Sequence, residues 1–414
     1  MRLFYTFAIY IYQSAIHIAS LFNHKAKLWI QGRKNIFNEL EFKCAGNQYI
    51  VWFHCASLGE FEQGKPFIEK VKNEHPQTKI LVTFFSPSGY TIRKNDPIAD
   101  FVFYLPIDTI SNAKKFIKIV NPRFAVFVKY EYWYNYIQQL DQKNIPFFYI
   151  SAIFRKEQYL FKWYGSWFVR QLKKCTRFFV QDDQSISLMQ QLKIENVTKT
   201  GDTRFDRVYK IASQSYDLPY VVQFKNRSKL LVAGSTWEPD DKILKSFLDQ
   251  NKRTFKLIIA PHEIHASRIQ YLKDLFFDYS IICFSEMEQE HMADYQVFII
   301  DTIGILSKIY KYSDYSYIGG AFGAGLHNIL EAAVFGVPLF FGPKYQKFKE
   351  ARDLVQLEGA FSILNDEQLI LKITQLEMRQ EEYDKTCNIC KKFVHNNIGA
   401  VDMIYSVVKD HINW

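Results

Sequence analysis

Cysteine is scarce in this sequence: Cys44, Cys55, Cys175, Cys283, Cys387 and Cys390 are the only six in 414 residues. Their number and spacing exclude a disulfide framework and fit a reducing compartment. Cys387 and Cys390 form one CxxC in a late, charged, helix-like stretch, but no second pair accompanies it, which disfavours zinc or redox chemistry there. Long Arg/Lys blocks, zinc-finger spacing and an RNP motif are also missing, which argues against a nucleic-acid partner. No Gly-Lys-Ser/Thr closes a glycine-rich loop, which disfavours a P-loop ATPase. There is no short-period repeat, no low-complexity tract and no DxD-like acidic pair at a strand end. The chemistry expected is therefore free of metal and of cofactor.

What is present is ordinary globular composition, 48% hydrophobic and 23% charged, in a chain long enough for two domains. The formal charge of +9 favours anionic partners such as phospholipid head groups, phosphorylated lipids or nucleotides. Aromatic residues reach 17%; compositional bias of the genome explains this as readily as membrane contact does.

The segment Leu3–Phe22 is apolar and about as long as a bilayer span, although Gln13, Ser14 and His17 interrupt it. Lys25, Lys27, Arg33 and Lys34 follow at once, which places the rest of the chain in the cytosol, on the inner (cytoplasmic) membrane. A helix lying on the membrane surface, anchored by tyrosines, Trp29 and lysines, is the alternative. After this anchor, apolar runs alternate with amphipathic ones. Strands are predicted at Tyr49–His54, Lys79–Phe85, Phe101–Leu105, Phe124–Val128, Pro146–Ile150 and Arg177–Gln181. A second series covers Lys229–Ala233, Lys256–Ala260, Ile281–Phe284, Val297–Ile300, Tyr315–Ile318 and Pro338–Phe341. Strand–helix alternation predicts α/β domains with parallel sheets. The polar stretch Tyr209–Lys229 reads as a linker, giving an anchor over 1–30, domains over 31–208 and 209–395, and a terminal helix over 396–414.

Six constellations fall where strands meet helices. In His54-Cys55-Ala56-Ser57-Leu58-Gly59-Glu60 the small residues allow a tight turn and Glu60 lands in the first helical turn, where an ionised carboxylate is favoured. Such a group can take a proton from a hydroxyl, and it can equally be a dipole-favoured glutamate without chemistry. Ser86-Pro87-Ser88-Gly89 offers hydroxyls and backbone N–H groups to sugar or phosphate oxygens, or simply caps a helix. Glu131 follows an apolar strand beside Trp133. Further on, Gly234-Ser235-Thr236 and Pro261-His262 end two strands. The sequence from Gly319 to Glu331 packs Gly319, Gly320, Gly323 and Gly325 ahead of His327, Asn328 and Glu331. Glycine-rich N–H groups at a helix start can cradle phosphate, and a carboxylate one turn in can reach ribose hydroxyls.

In this order the motifs resemble the Kdo (3-deoxy-D-manno-octulosonic acid) transferases over nearly the whole chain. His54 to Glu60 is similar to the family's H-A-A-S-x-G-E, Ser86 to Gly89 to its T-P-T-G, and Glu131 with Trp133 to its E-T-E-L-W-P. Gly201 with Phe205-Asp206 resembles G-x-x-K-F-D. Asp301-Thr302 with Gly304, His327-Asn328 with Glu331, Gly342-Pro343 and Gly399-Ala400 continue the series. The resemblance implies a GT-B fold, with two Rossmann-like domains facing across a cleft, and an N-terminal membrane-anchor helix. It implies CMP-Kdo as donor, a lipid A precursor as acceptor, membrane lipid as a further partner, and inversion without metal. Glu60 would be the general base and Glu131 a second active-site carboxylate. Ser235, Thr236, Pro261, His262, Gly304, Gly323, Gly325, His327, Asn328 and Glu331 would hold the donor. Ser57, Gly59, Ser86, Ser88, Gly89, Arg155 and Arg204 would contact acceptor or sugar.

There are departures. The family's Pro-Arg-His is Pro261-His262-Glu263, its Asn-Ala-Arg is Ser151-Ala152-Ile153, and the Lys of G-x-x-K-F-D is Arg204. Arg155, Arg204 or Lys344 would then meet the donor phosphate. Two other readings stand beside this one: a GT-B enzyme with a UDP-sugar donor, and a non-catalytic membrane-tethered adaptor that binds nucleotide or lipid.

Overall fold

The computed structural model describes residues 2–411 except 45, 48, 215–216, 288–290 and 324. The chain divides into two compact units, residues 1–207 with 398–414, and residues 208–397.

The first unit is built on strands β1 (Ile50–Cys55), β2 (Lys79–Phe84), β3 (Phe101–Tyr104), β4 (Phe124–Val128), β5 (Phe147–Ala152), β6 (Arg177–Val180) and β7 (Val197–Lys199). They form one parallel sheet in the order 3-2-1-4-5-6-7. A strand covered on both faces needs an unbroken apolar run, which Ile50-Val51-Trp52-Phe53 supplies. Ile50 and Trp52 enter the core on one face, while Val51, Phe53 and Cys55 enter that on the other. The helix Leu58–Glu74 covers the second face with Phe61, Phe67, Ile68 and Val71, each burial contributing about 1.5–3 kcal/mol. The helix Ala400–Val408 adds Val401, Ile404 and Val408 to the same layer, so the chain's last helix belongs to this unit. Gly399, at φ +105°, starts that helix, and its N–H donates to Asp206 Oδ1 at 2.7 Å.

The second unit repeats the plan with β8 (Lys229–Thr236), β9 (Phe255–Pro261), β10 (Ile281–Cys283), β11 (Val297–Ile299), β12 (Tyr315–Ile318), β13 (Leu339–Phe341) and β14 (Ala360–Ser362). This sheet is also parallel, in the order 10-11-9-8-12-13-14.

The structure departs from the sequence-based expectation in three places. The edge strands β7 and β14 were not foreseen, because three residues of mixed polarity carry no periodicity. The segment 209–229 is not a loose linker. The helix Thr203–Ser213 runs through its start, and the helix Pro219–Lys225, opened by a proline at its first turn, buries Val221 and Phe224. The N-terminus is not one anchor over 1–30 but two helices, Arg2–Ala19 and His24–Gln31. Asn23 separates them by capping the second, its side chain accepting from the Ala26 N–H at 3.1 Å. Among the described residues no helix is long and apolar enough to cross a membrane, which overturns the bilayer-spanning reading. The first helix is instead docked on its own unit. Tyr5 donates to the buried Asp108 at 2.5 Å, and Tyr12 stacks on Phe85 at 6.1 Å.

Candidate active site

In open parallel sheets the ligand crevice lies at the carboxyl ends of the strands, where the strand order reverses. In the first unit that point falls between β1 and β4, the strands that precede Glu60 and Glu131. Glu60 is the third residue of its helix, 9% exposed, and closes a capping box: the Ser57 N–H donates to Glu60 Oε2 at 3.0 Å, and the Ser57 hydroxyl donates to the same oxygen. Ser57 is thus engaged with Glu60. Glu131 follows the same rule, with Oε2 accepting from Trp133 Nε1 at 3.1 Å. Each carboxylate has one oxygen tied to its own turn.

Two neighbouring side chains feel both charges. Burial first, then Glu60 and Glu131, push the Cys55 thiol well above its usual range. Tyr130 is raised by burial and by the same two carboxylates, while Arg155 opposes them. The charges of Glu60, Glu131 and Arg155 thus all reach Tyr130, a residue that the sequence reading did not single out. The Ser86 turn lies alongside: the Ser86 N–H donates to Ala56 O at 2.8 Å, and Ser86 and Ser88 hydroxyls are 3.0 Å apart. Gly89 makes this approach possible, since a Cβ there would lie 2.3 Å from Phe84 and 3.0 Å from the Ser57 backbone. Gly59 differs, because a Cβ there would meet only Ser57 Oγ, at 3.8 Å. Packing gives no reason for that glycine. Arg204 is ion-paired with Asp202. It donates to Asp202 at 2.9 Å, and Asp202 also accepts from Gln63 at 2.9 Å. Burial raises Asp202, but Arg204 and Gln63 outweigh it and hold the carboxyl below its usual range.

In the second unit the order reverses between β8 and β12, the strands that lead into Ser235-Thr236 and into Gly319-Gly320. Ser235 adopts φ +53° at a register shift between β8 and β9. A non-glycine residue in that region is uncommon and turns the chain sharply at the sheet edge. Gly319 packs against it: a Cβ there would sit 2.4 Å from Ser235 O. The next N–H, of Gly320, donates to Asp240 Oδ2 at 3.0 Å, and Gly320 O accepts from Gly325 N at 2.8 Å and from Gly323 N at 3.1 Å. Neither Gly323 nor Gly325 would carry a Cβ within 4 Å of anything. His327, His262 and Trp237 form a stack, with ring centroids 4.3 and 4.9 Å apart. Burial, then His262, pull His327 down to about 4, so its ring is neutral near pH 7. Asn328 Nδ2 donates to Glu331 Oε1 at 3.1 Å. The helix holding Glu331 is only Leu330–Ala333, a single turn. Pro261 ends β9, and Gly304 turns at φ +101° after β11. Lys344 is exposed, and its N–H donates to Ala321 O at 2.9 Å, within the glycine-rich loop.

Residues 29–207 match the family model described as 3-Deoxy-D-manno-octulosonic-acid transferase (kdotransferase). A 3-deoxy-D-manno-octulosonic acid transferase of Aquifex aeolicus is 26% identical over 352 residues, 82% of this chain and 91% of the relative. The enzyme of the same description in Rickettsia felis is 25% identical over 90% of this chain and 81% of its own. Over most of its length the chain is similar to Kdo transferases. Its two seven-stranded parallel sheets are GT-B-like, a likeness of fold. The UDP-GlcNAc 2-epimerase of Neisseria meningitidis superposes with a TM-score of 0.62 at 16% identity, over 87% of this chain and 100% of that one. MurG of Acinetobacter baumannii superposes with a TM-score of 0.55 at 11% identity, over 88% and 100%.

Several side chains that build the two edges escaped the sequence reading. Asp240 accepts from Trp237 N at 2.9 Å, Gly320 N at 3.0 Å and Tyr317 Oη at 2.8 Å, so it pins the glycine-rich loop to the helix Glu238–Asn251. The adjacent Asp241 is fully buried and ion-paired with Arg268, whose Nη2 also donates to Thr236 O at 3.2 Å. Two consecutive aspartates in a first helical turn were the available signal.

Proposed function

We propose that this protein is a Kdo transferase that moves Kdo from CMP-Kdo to a lipid A precursor in lipopolysaccharide core synthesis, with Glu60 as general base. The observation that carries the reading is the placement of Glu60 and Glu131 on either side of the first sheet's reversal point, each with only one oxygen engaged by its own turn. The base takes the proton of the acceptor hydroxyl, whose oxygen attacks the anomeric carbon and displaces CMP with inversion. Charge growing on CMP is assigned to a cation at the edge of the Gly319–Gly325 loop, since the Gly320, Gly323 and Gly325 N–H groups already donate to Asp240 and to Gly320 O. Neutral His327 lacks the cation for this and Arg204 is held by Asp202, which favours Lys344 at the loop's edge. Asn328 and Glu331 are assigned to the nucleoside, and Arg155 with the Ser86–Gly89 turn to the acceptor or sugar. Among the described residues no three His, Cys, Asp or Glu side chains converge as a metal would require.

The donor class is tested by competition in EDTA: CMP is expected to inhibit transfer and UDP to leave it unchanged. Inhibition by UDP alone would move the protein to the UDP-sugar reading. Gly59 supplies a second check. Alanine there favours the helix by up to about 1 kcal/mol, so Gly59→Ala should keep or raise the melting temperature. Its turnover should nevertheless fall, because the open space over Gly59 is assigned to substrate; a fully active Gly59→Ala removes that assignment.

The membrane partner is assigned to the outer face of the first helix. Phe4, Phe7, Ile11 and Ile18 are exposed there, with Phe7 at 65%, and Leu21 and Phe22 follow, Phe22 at 89%. Lys25 and Lys27 come next, as expected of a helix lying at an anionic surface. The double variant Phe7→Asp/Ile11→Asp should release the protein from anionic vesicles in a flotation assay. Undiminished flotation would contradict this placement.

A further inference from the structure

Behind Glu131 lies a buried chain of polar side chains that the reaction as described does not use. Trp52 Nε1 donates to Thr83 Oγ1 at 2.7 Å, and His54 Nδ1 lies 2.9 Å from the same oxygen. Thr83 Oγ1 donates to Phe53 O at 3.4 Å. On the other side of the imidazole, Trp133 Nε1 lies 3.0 Å from His54 Nε2 and 3.1 Å from Glu131 Oε2. His54 and Thr83 are 0% exposed.

Counting donors assigns the protons. A threonine hydroxyl has one proton to give and lone pairs to receive two donors. Thr83 receives from Trp52 and gives to Phe53 O, so it accepts from His54, and the imidazole proton is on Nδ1. His54 Nε2 then carries a lone pair and can only accept. The indole proton of Trp133 sits in a fork between that lone pair and Glu131 Oε2, which are 3.6 Å apart, beyond hydrogen-bonding distance of each other. The Trp133 ring is held by Phe85 at 4.9 Å and by the edge of His54 at 6.0 Å.

We infer that His54 is a positioning residue for Glu131. It acts through the Trp133 indole, which fixes Oε2 and leaves Oε1 as the oxygen for substrate. The inference rests on the reading of Glu131 as an active-site carboxylate. The imidazole touches no reacting atom; its Nε2 sets the angle of the indole N–H, and the indole sets the carboxylate.

The two ring nitrogens give a test that separates this role from a packing one. A glutamine amide reaches the position of Nε2, and an asparagine amide reaches that of Nδ1. His54→Gln should keep kcat close to wild type. His54→Asn, which keeps the Thr83 contact and loses the Trp133 one, should lower kcat on the order of 10²-fold, the effect of a misplaced catalytic group. KM for CMP-Kdo should be unchanged in both. Trp133→Phe should show the same loss, with no further loss when combined with His54→Asn. The opposite pattern, His54→Asn active and His54→Gln impaired, would overturn the inference, because His54 would then serve only Thr83. If neither His54 variant folds by thermal denaturation, Trp133→Phe decides: wild-type kcat overturns the inference and the loss supports it. Wild-type turnover by Glu131→Gln would instead defeat the reading of Glu131, and the inference with it.

Discussion

Glu60→Gln should abolish transfer while leaving the fold and CMP binding intact. The amide keeps the size of the side chain and can still accept from the Ser57 N–H, so the capping box loses little. What it cannot do is take a proton. General-base catalysis contributes roughly 10²–10⁴-fold, and a loss of that size is expected in kcat. CMP affinity should not change, since the residues assigned to the nucleotide belong to the second unit. A parallel loss of CMP affinity or of melting temperature would instead give Glu60 a structural role.

The second large effect concerns stability. Asp241 is fully buried, Arg268 is 8% exposed, and the two form an ion pair beneath the turn that carries Thr236. Removing the cation leaves an uncompensated buried charge, a change that costs about 3–5 kcal/mol. Arg268→Met should therefore be strongly destabilised at neutral pH. Even with its partner, burial raises the Asp241 carboxyl to about 6. A raised folded-state value means that the folded protein binds this proton more tightly than the unfolded chain does. The stability contributed by this proton therefore grows as pH falls from above 6 toward the unfolded value near 4, and is lost as pH rises through 6. Without Arg268 the shift should be larger, so Arg268→Met should recover part of its deficit on acidification from pH 7.5 to 5.5. Urea unfolding at the two pH values checks this, and an equal deficit at both would contradict it.

Most of both sheets was legible because a parallel strand buried on two faces must be written in consecutive apolar residues. Phe124–Val128 and Tyr315–Ile318 were placed to the residue, and the main errors fell where that signal fades. Val197–Lys199 and Ala360–Ser362 are short, half-polar edges. Leu3–Phe22 looked like a bilayer span because hydropathy does not record that Tyr5 hydrogen-bonds to Asp108, 103 residues away.

The candidate site was legible for a related reason. Residues at strand ends, such as Glu60, Glu131 and Ser235, are placed by topology alone. The side chains that orient them are not. Thr83 lies 29 residues from His54 and on a different strand, and Asp240 meets Gly320 across 80 residues of chain. Such contacts depend on which strands become neighbours, and local pattern carries no record of that. Arg204 matched a family motif by position, but that position carries no record of its ion pair with Asp202, two residues away.

The most direct test of Glu60 as the base in Kdo transfer is the mass of the lipid formed under single-turnover conditions from CMP-Kdo and a lipid A precursor. Wild type should yield acceptor heavier by Kdo, and Glu60→Gln, binding CMP equally well, should return the acceptor unchanged. Product formed by Glu60→Gln at the wild-type rate, or no product from CMP-Kdo with the wild type, would contradict the account.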